Sequence, residues 1–185
     1  MTFTTEDIAQ IDLSPFARFV PPQYHFFFIG QPGIAPYRLL AYFSTLFRNQ
    51  ILIEVGVHNG WGSLALSYNE KNRVIGYDID LGPLNNTIQE ERSNTSFKQG
   101  IAHEMDPETI FASPFIHFDA QHDGIYEKTF FDFLVARKYR GWLLLDDIHL
   151  NPAMEAFWQS ITVPKHDLTR FGHSTGTGLV TFNTF

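Results

Sequence analysis

The sequence predicts a doubly wound α/β protein built on a mostly parallel sheet. From residue 50 onward, short β-branched or leucine-rich runs alternate with segments whose apolar residues recur at helical spacing. Such alternation favours a parallel sheet covered by helices on both faces. Two further strand-like segments, 167–172 and 176–183, follow each other across a turn. They predict an antiparallel hairpin at the sheet edge.

The N-terminal residues 1–48 are predicted to form a helical cap and a loop. Residues 4–20 have helix-compatible spacing that prolines interrupt and end. The stretch 21–36 holds four prolines and two glycines around the aromatic cluster Tyr24–Phe28, so we predict an irregular loop. That cluster either lines a ligand pocket as a lid or packs the N-terminal segment. Residues 37–48 have the three-and-four apolar spacing of an amphipathic helix.

The remaining elements follow in regular order. Apolar runs that end in glycine or an acidic residue indicate buried strands, and the amphipathic segments between them indicate helices. No repeat or domain boundary is visible, so we predict one domain with a core at residues 50–183. Strands are predicted at 50–57, 73–80, 95–102, 114–120 and 141–147, and helices at 60–70, 86–93, 124–139 and 151–161.

Composition excludes several classes of protein. The 185 residues are 44% hydrophobic, enough for one full core. Thirteen Lys and Arg against 20 Asp and Glu give a net charge of −7 without any basic run, which argues against a nucleic-acid partner. The absence of cysteine excludes disulfides and thiolate zinc sites. An acidic start and short apolar runs predict no signal peptide and no membrane partner, so we expect a cytoplasmic protein.

Polar residues cluster where the predicted strands end. In an open α/β sheet, ligands bind outside the carboxyl ends of the strands. The first strand is followed by residues 54–62, the second ends with Asp78 and Asp80, and the fourth and fifth are followed by 119–122 and 146–149. We therefore expect four strand ends to converge on one site.

The segment EVGVHNGWG after the first strand is a glycine loop. Glycines at 56, 60 and 62 permit a tight turn and close approach of a ligand to the backbone. His58 occupies the second glycine position of the dinucleotide fingerprint, and no GK[ST] is present, so neither that motif nor a P-loop fits. A looser E/D-x-G-x-x-x-G loop does fit. Asp78 stands where an acid could hold a ribose diol, or it caps the next turn.

Together, EVGVHNGWG, YDID, FIHFDAQHDGIYEKTFFDFL and GWLLLDDIH resemble the class I S-adenosylmethionine (SAM)-dependent methyltransferases. Within them, they resemble the metal-dependent small-molecule O-methyltransferases of the catechol and macrocin type. The resemblance covers roughly residues 50–183. It implies a Rossmann-like seven-stranded sheet of order 3-2-1-4-5-7-6, SAM as cofactor, and a small hydroxylated acceptor such as a sugar, glycoside or phenol.

The resemblance also implies a cofactor site. The glycine loop would face the methionine part of SAM, with His58 and Trp61 shaping the pocket, although Trp61 fits the core equally well. Asp78 would bind the ribose, and residues 99–102 would border the adenine, without the acid that often follows the third strand in this family. The implied cofactor residues are Glu54, Gly56, His58, Asn59, Gly60, Gly62, Asp78, Gly100, Ile101 and Asp119.

The adjacent Asp146 and Asp147 raise a question of charge. Two carboxylates at one strand end repel each other unless a cation binds or one is protonated. The resemblance implies Mg²⁺ or another divalent cation held by Asp119, Asp146 and Asp147, where catechol-type enzymes carry Asp-Asn on the fifth strand. Alternatively, one of the pair caps the helix at 151–161, for which Asn151 is also a candidate.

Two histidines are candidates for the catalytic base. His122 follows Asp119 by three residues, where catechol-type enzymes have a lysine base, and an imidazole can accept a proton near neutral pH. It could equally be a solvated loop residue. His149 is a competing base or a metal ligand, and the spacing D-x-x-H…D-D-x-H also permits an Mn²⁺ or Fe²⁺ site. His117, within a strand, is expected to be a satisfied buried histidine.

The sequence therefore predicts a SAM-dependent methyltransferase with metal-assisted O-methylation. Two alternatives stay open: a metal-dependent hydroxylase or hydrolase on the same scaffold, and a nonenzymatic cofactor-binding module. The phenylalanine-rich composition is also compatible with a homodimer that covers exposed apolar surface.

Overall fold

The computed structural model describes residues 4–30 and 33–182. Its centre is a seven-stranded sheet of order β3-β2-β1-β4-β5-β7-β6, which confirms the order implied by the resemblance. The first five strands are mutually parallel, and β7 is antiparallel to both β5 and β6. The strands are β1 Ile51–Val55, β2 Arg73–Asp78, β3 Thr95–Gln99, β4 Phe115–Phe118, β5 Trp142–Asp146, β6 Lys165–Asp167 and β7 Thr177–Thr181.

Helices connect these strands and cover both faces of the sheet. On one face, Leu52 of β1 belongs to a core cluster with residues of α3 and α4. On the other, Ile53 and Val55 pack with residues of α7, α8 and α9. The doubly wound α/β prediction is therefore confirmed. The helices are α1 Thr5–Ala9, α2 Phe26–Ile29, α3 Ile34–Thr45, α4 Trp61–Leu66, α5 Asn86–Glu91, α6 Ala102–Met105, α7 Pro107–Ala112, α8 Ile125–Ala136 and α9 Pro152–Ser160.

The N-terminal segment is more regular than predicted. A 3-10 turn at Pro22–Tyr24 and α2 replace much of the irregular loop at 21–36. The 3-10 turn is fixed because His25 Nε2 lies 2.8 Å from the Val20 carbonyl oxygen. Burial of the Phe28 ring compensates for the conformational entropy that this segment loses when it becomes ordered. The following helix α3 begins at Ile34, earlier than predicted, since its proline lies in the first turn, where proline is tolerated.

The closing hairpin lies at the predicted edge but begins earlier in the chain. The prediction of a strand at 167–172 was wrong, because β6 is Lys165–Asp167 and a 3-10 turn occupies Thr169–Phe171. Asp167 Oδ1 accepts the backbone N–H of Thr169 at 2.9 Å, which turns the chain and lets Phe171 become buried. Residue 183 of the predicted last strand lies outside the described residues.

Two short helices, α6 and α7, were not predicted from the sequence. Proline at the first position of α7 is a typical start signal. Among the residues that the structure describes, no helix is long and apolar enough to cross a membrane.

Candidate functional site

The carboxyl ends of β1, β4 and β5 open into one cavity of about 1040 Å³. Gly56, Asp119 and Asp146 line it from the sheet. The N-terminal segment contributes Tyr24 and other aromatic side chains, and the chain between β6 and β7 contributes His173. Three of the four predicted strand ends therefore converge. The end of β2 lies beside the glycine loop, outside the cavity lining.

The glycine loop adopts a conformation that two of its glycines require. Gly56 has φ +91° and Gly60 has φ +82°, both in the left-handed region. A Cβ atom on Gly56 would lie 1.8 Å from the Asp119 carbonyl oxygen, so the end of β1 can approach the end of β4 only without a side chain. His58 also has a positive φ of 44°. His58 and Asn59 both line the cavity.

Asp78, the predicted ribose ligand, holds the glycine loop in place. Its Oδ2 accepts backbone N–H groups of Val57 at 2.7 Å and His58 at 2.9 Å. Its Oδ1 accepts the N–H of Asp80 at 3.0 Å and so also caps the turn after β2. The capping alternative is thus realised in this structure, and binding of a ribose by Asp78 stays a prediction.

Glu54, another predicted cofactor residue, is 1% exposed and fully engaged by its neighbours. The Ser63 hydroxyl donates to its Oε2, and its Oε1 lies 3.2 Å from His117 Nδ1. Burial raises the pKa of Glu54, and the hydrogen bonds from His117 and Ser63 oppose that shift. His117 is buried and bonded, as predicted. A Cβ on Gly62 would lie 1.8 Å from Glu54 Oε1, so this glycine makes room for the carboxylate.

Three carboxylates and two imidazoles form a cluster in the cavity, here called the acid–imidazole cluster: Asp119, His122, Asp146, Asp147 and His173. His122 Nε2 lies 3.0 Å from Asp119 Oδ1 and 3.5 Å from Asp147 Oδ2. His173 Nδ1 lies 2.9 Å from Asp147 Oδ1. The predicted base His122 is therefore placed between two acids in the cavity.

The electrostatics of the cluster follow from this mutual contact. Burial, reinforced by the Asp119 charge, raises the pKa of Asp146 well above its usual range. The hydrogen bond to Asp147 raises the pKa of His173 to about 9. The hydrogen bond to Asp119 raises the pKa of His122. Imidazolium charge thus compensates part of the carboxylate charge in the cavity.

The backbone around His122 is fixed from two directions. Its N–H donates to Glu127 Oε1 at 2.8 Å, and the other oxygen of Glu127 accepts the Gly124 N–H at 2.8 Å. Asn151 Nδ2 donates to the His122 carbonyl oxygen at 2.9 Å. Asn151 also caps α9 by accepting the N–H groups of Ala153 and Met154. Of the cap candidates, the structure thus assigns this role to Asn151.

Part of the cluster has a donor set that fits a divalent cation. Ligand atoms of Asp146, Asp147 and His173 all lie within 4.8 Å of one another. Asp119, the predicted third ligand, is outside this group and contacts His122. His173 was not predicted from the sequence. Its proximity to the Asp pair becomes apparent only when β7 returns beside β5.

The structure does not bring His149 into the cavity. Its Nε2 lies 2.8 Å from Asp167 Oδ2, and its Nδ1 contacts Glu155. Both acids raise its pKa, Asp167 first. His149 therefore links the edge strand β6 to α9. Neither the base nor the metal-ligand prediction for this residue gains support from its position.

The predicted adenine border follows β3. Gly100 has φ +141°, and its N–H donates to the Asp78 carbonyl oxygen at 2.7 Å, while Ile101 precedes α6 as its N-cap residue. Both lie beside the end of β2 and outside the cavity lining. His103 Nδ1 is buried nearby without a hydrogen-bond partner. Sequence reasoning missed this histidine because its burial depends on the aromatic rings of α8.

An aromatic wall of Tyr24, Phe27 and Trp61 lines the same cavity as the acid–imidazole cluster. The Trp61 ring centroid lies 5.2 Å from that of Tyr24 and 5.4 Å from that of Phe27, and all three line the cavity. The Trp61 indole nitrogen is buried without a hydrogen-bond partner. Within the Tyr24–Phe28 cluster, Phe28 packs in the core while Phe27 lines the cavity, and a lid role for the cluster stays a prediction.

The observed strand order is the one that the resemblance to the class I SAM-dependent methyltransferases implied. No protein-family model matches the sequence, and no curated protein is significantly similar to it. Solved structures do share the fold. An O-methyltransferase from Bacillus cereus in complex with SAH matches with a TM-score of 0.62 and 13% identity, over 99% of this chain and 93% of that chain.

Two further solved structures are informative. The O-methyltransferase TomG from Streptomyces achromogenes, involved in tomaymycin synthesis and in complex with SAM, matches with a TM-score of 0.58 and 14% identity over 99% of this chain and 92% of that chain. A cmcI structure with Mg and SAM matches with a TM-score of 0.52 and 16% identity over 80% of this chain and 72% of that chain. At these identities the likeness establishes the fold, and it confirms the fold implied by the sequence resemblance.

Proposed function

We propose that the chain is a SAM-dependent methyltransferase that methylates a hydroxyl group of a small acceptor such as a sugar, glycoside or phenol. The observation that carries the proposal is the position of the glycine loop, which opens into the same cavity as the acid–imidazole cluster. A cofactor on the loop and an acceptor at the cluster would therefore be neighbours. The SAM- and SAH-bound structures of the same fold support this choice of cofactor.

For the cofactor, the proposal assigns different tasks to different residues. The backbone of Gly56, His58, Asn59 and Gly60 would contact the methionine part. Asp78, at the end of β2, would bind the ribose, and Gly100 with Ile101 would border the adenine. Glu54 and Gly62 would act indirectly, because their contacts fix the loop against the sheet. SAM would supply an electrophilic methyl group on its sulfonium.

For the acceptor, the chain must remove a proton and fix the oxygen in line with the methyl group. His122 is the proposed base: its Nε2–H would donate to Asp119 at 3.0 Å, its Nδ1 would accept the proton of the acceptor hydroxyl, and Asp119 would stabilise the imidazolium that forms. A bound divalent cation would lower the pKa of the acceptor hydroxyl. The structure offers Asp146, Asp147 and His173 for that cation, with Asp119 the additional carboxylate named by the resemblance. The aromatic wall would exclude water from the reacting atoms.

The first experiment is calorimetric titration of SAM into the purified protein, with and without Mg²⁺. We expect the wild type to bind SAM with micromolar affinity. Asp78→Ala should abolish this binding. Asp146→Ala should still bind SAM, but Mg²⁺ should no longer affect the titration. Asp80→Ala is the matched control, because it removes an exposed carboxylate two residues away and should bind SAM like the wild type. Circular dichroism of each variant would show that the fold is retained.

Absence of SAM binding in the wild type, with and without metal, would overturn the proposal. The metal-dependent hydroxylase or hydrolase would then be the next candidate for the acid–imidazole cluster. Normal SAM binding without any effect of Asp119, Asp146 or Asp147 on methyl transfer would instead favour a nonenzymatic cofactor-binding module.

A further inference from the structure

We propose that the divalent cation site of this chain is formed by Asp146, Asp147 and His173. We infer that it prefers an ion that accepts imidazole, of the Co²⁺ or Zn²⁺ type, over Mg²⁺. The inference deepens the metal assistance in the proposed function and rests on it for the role of the cation. It differs from the all-carboxylate set that the sequence resemblance implied.

The distances within the group suit a common ion. Ligand atoms of the three residues lie within 4.8 Å of one another. Two ligand atoms bound to one ion at about 2.1 Å each are separated by roughly 3.0 to 3.4 Å in octahedral or tetrahedral geometry. The 2.9 Å between His173 Nδ1 and Asp147 Oδ1 is close to that range. The Thr175 hydroxyl contacts both of these atoms, so a bound cation would replace contacts that now join the two ligands.

The position of His173 is set by the backbone and does not depend on its side chain alone. The His149 N–H donates to the Thr175 carbonyl oxygen at 2.8 Å, so the turn after His173 is bonded to the segment directly after the Asp pair. Gly176 closes this turn with φ +108°, where a Cβ would lie 2.8 Å from the His149 nitrogen. The imidazole is therefore held beside Asp147 before any ion arrives.

The two histidines of the acid–imidazole cluster have different nearest acids, although both approach Asp147. His122 Nε2 contacts Asp119 and lies farther from Asp147, at 3.5 Å. His173 contacts Asp147 at 2.9 Å and belongs to the group with Asp146. This separation assigns the cation to His173 and leaves His122 for proton transfer.

The third ligand decides the choice of ion. Mg²⁺ favours carboxylate and water oxygens and gives up water reluctantly. Imidazole nitrogen suits Zn²⁺ and related first-row ions, and mixed imidazole and carboxylate sets are common for them. An Asp–Asp–His site should therefore discriminate against Mg²⁺ more strongly than an Asp–Asp–Asp site would.

The test titrates CoCl₂, ZnCl₂ and MgCl₂ separately into metal-free full-length protein by calorimetry, without SAM. Visible absorption of the Co²⁺ complex provides a spectroscopic readout of nitrogen ligation. We expect Co²⁺ and Zn²⁺ to bind at least about tenfold more tightly than Mg²⁺. His173→Ala should reduce Co²⁺ affinity by at least about tenfold and change its spectrum, while Mg²⁺ affinity changes less.

Three variants make the result specific to His173. His122→Ala and His166→Ala remove a neighbouring and an exposed imidazole, and both should retain Co²⁺ binding. His173→Asp supplies an oxygen ligand instead and should shift the preference toward Mg²⁺. Since the His173 side chain is 43% exposed, these changes should leave the protein folded.

Equal affinity for Mg²⁺ and Co²⁺ in the wild type would overturn the inference, as would unchanged Co²⁺ binding in His173→Ala. The outcome is separate from that of the proposed function, because SAM is absent from these titrations. Cobalt bound through His173 in a protein that fails to bind SAM would refute the methyltransferase while preserving the metal site. SAM binding in a protein that does not prefer Co²⁺ over Mg²⁺ would refute the metal site while preserving the methyltransferase proposal.

Discussion

Glu54 Oε1 and His117 Nδ1 lie 3.2 Å apart in the lining of the cavity, on neighbouring strands where the two residues are register partners. Both side chains are buried, and the charge of Asp119 influences the pKa of each. A buried polar pair of this kind adds little net stability but makes the removal of either partner costly. Because Ser63 of α4 also bonds to Glu54, the pair ties the glycine loop to the sheet.

Replacement of Glu54 by alanine should therefore destabilise the protein by about 3 to 5 kcal/mol, since His117 would lose its partner in a buried site. Glu54→Gln, which retains the side-chain volume and one acceptor, should cost less. Urea unfolding monitored by circular dichroism measures both. Ser63→Ala serves as a control for loss of the hydroxyl alone, at about 1 kcal/mol. A loss below about 1 kcal/mol in Glu54→Ala would contradict a structural role for the pair.

Gly56→Ala should be severely destabilising and should abolish SAM binding. The added Cβ would meet the Asp119 carbonyl oxygen at 1.8 Å, and φ of +91° disfavours alanine by itself. We expect a loss of several kcal/mol in the free energy of unfolding. Gly30→Ala is the matched control, because its extended backbone and contacts of 3.4 Å accept a methyl group. Equal stability of the two variants would show that the loop can relax around the methyl.

His149 should contribute to stability in a pH-dependent manner without affecting the cavity. Its pKa is raised by Asp167 and Glu155, so its contribution is fully present below the unfolded value of about 6.5 and is lost as pH rises through the folded value. The wild type should exceed His149→Gln in unfolding free energy at pH 6, by about 1 kcal/mol or less for such an exposed site, and the difference should shrink at pH 9.

Urea unfolding at the two pH values measures this difference. His166→Gln, which removes an exposed imidazole on the same edge strand, should have little effect at either pH. SAM affinity of His149→Gln should equal that of the wild type. A variant that binds SAM normally but loses methyl transfer would return His149 to the list of catalytic candidates.

The sequence was informative where local physics determines the structure. The strands at 50–57 and 141–147 were predictable because strands covered on both faces must be apolar almost throughout. Residues 167–172 were misassigned because the turn in which Asp167 Oδ1 accepts the Thr169 N–H competes with strand formation, and the apolar pattern alone does not show which one prevails. Boundaries in the N-terminal segment failed for a similar reason, since aromatic packing there overrides the proline and glycine content.

At the candidate site, the sequence alone did not indicate which histidine lies beside the Asp pair. In the sequence, His149 is only two residues from Asp147, whereas His173 is 26 residues from it. The structure reverses their positions. The antiparallel return of β7 brings His173 to Asp147, whereas Asp167 and Glu155 hold His149 elsewhere. The contact between His173 and Asp147 depends on the order of the strands in the sheet and produces no periodic pattern in the sequence. It is therefore visible only in the folded structure.

Asn151 offers a test that separates helix capping from loop positioning. Its Oδ1 caps α9, and its Nδ2 donates to the His122 carbonyl oxygen at 2.9 Å. Asn151→Ala loses both contacts and should lower the unfolding free energy by about 1 kcal/mol. Asn151→Asp keeps a capping oxygen, which the helix dipole favours, but loses the donor to His122.

We therefore expect Asn151→Asp to be nearly as stable as the wild type yet to show faster amide hydrogen exchange at residues 121–124, because one of the two fixations of that loop is gone. Methyl-transfer activity should fall in both variants if His122 must be held in place to accept a proton. Slow exchange at 121–124 in Asn151→Asp would mean that Glu127 alone fixes the loop, and the activity of this variant should then match that of the wild type.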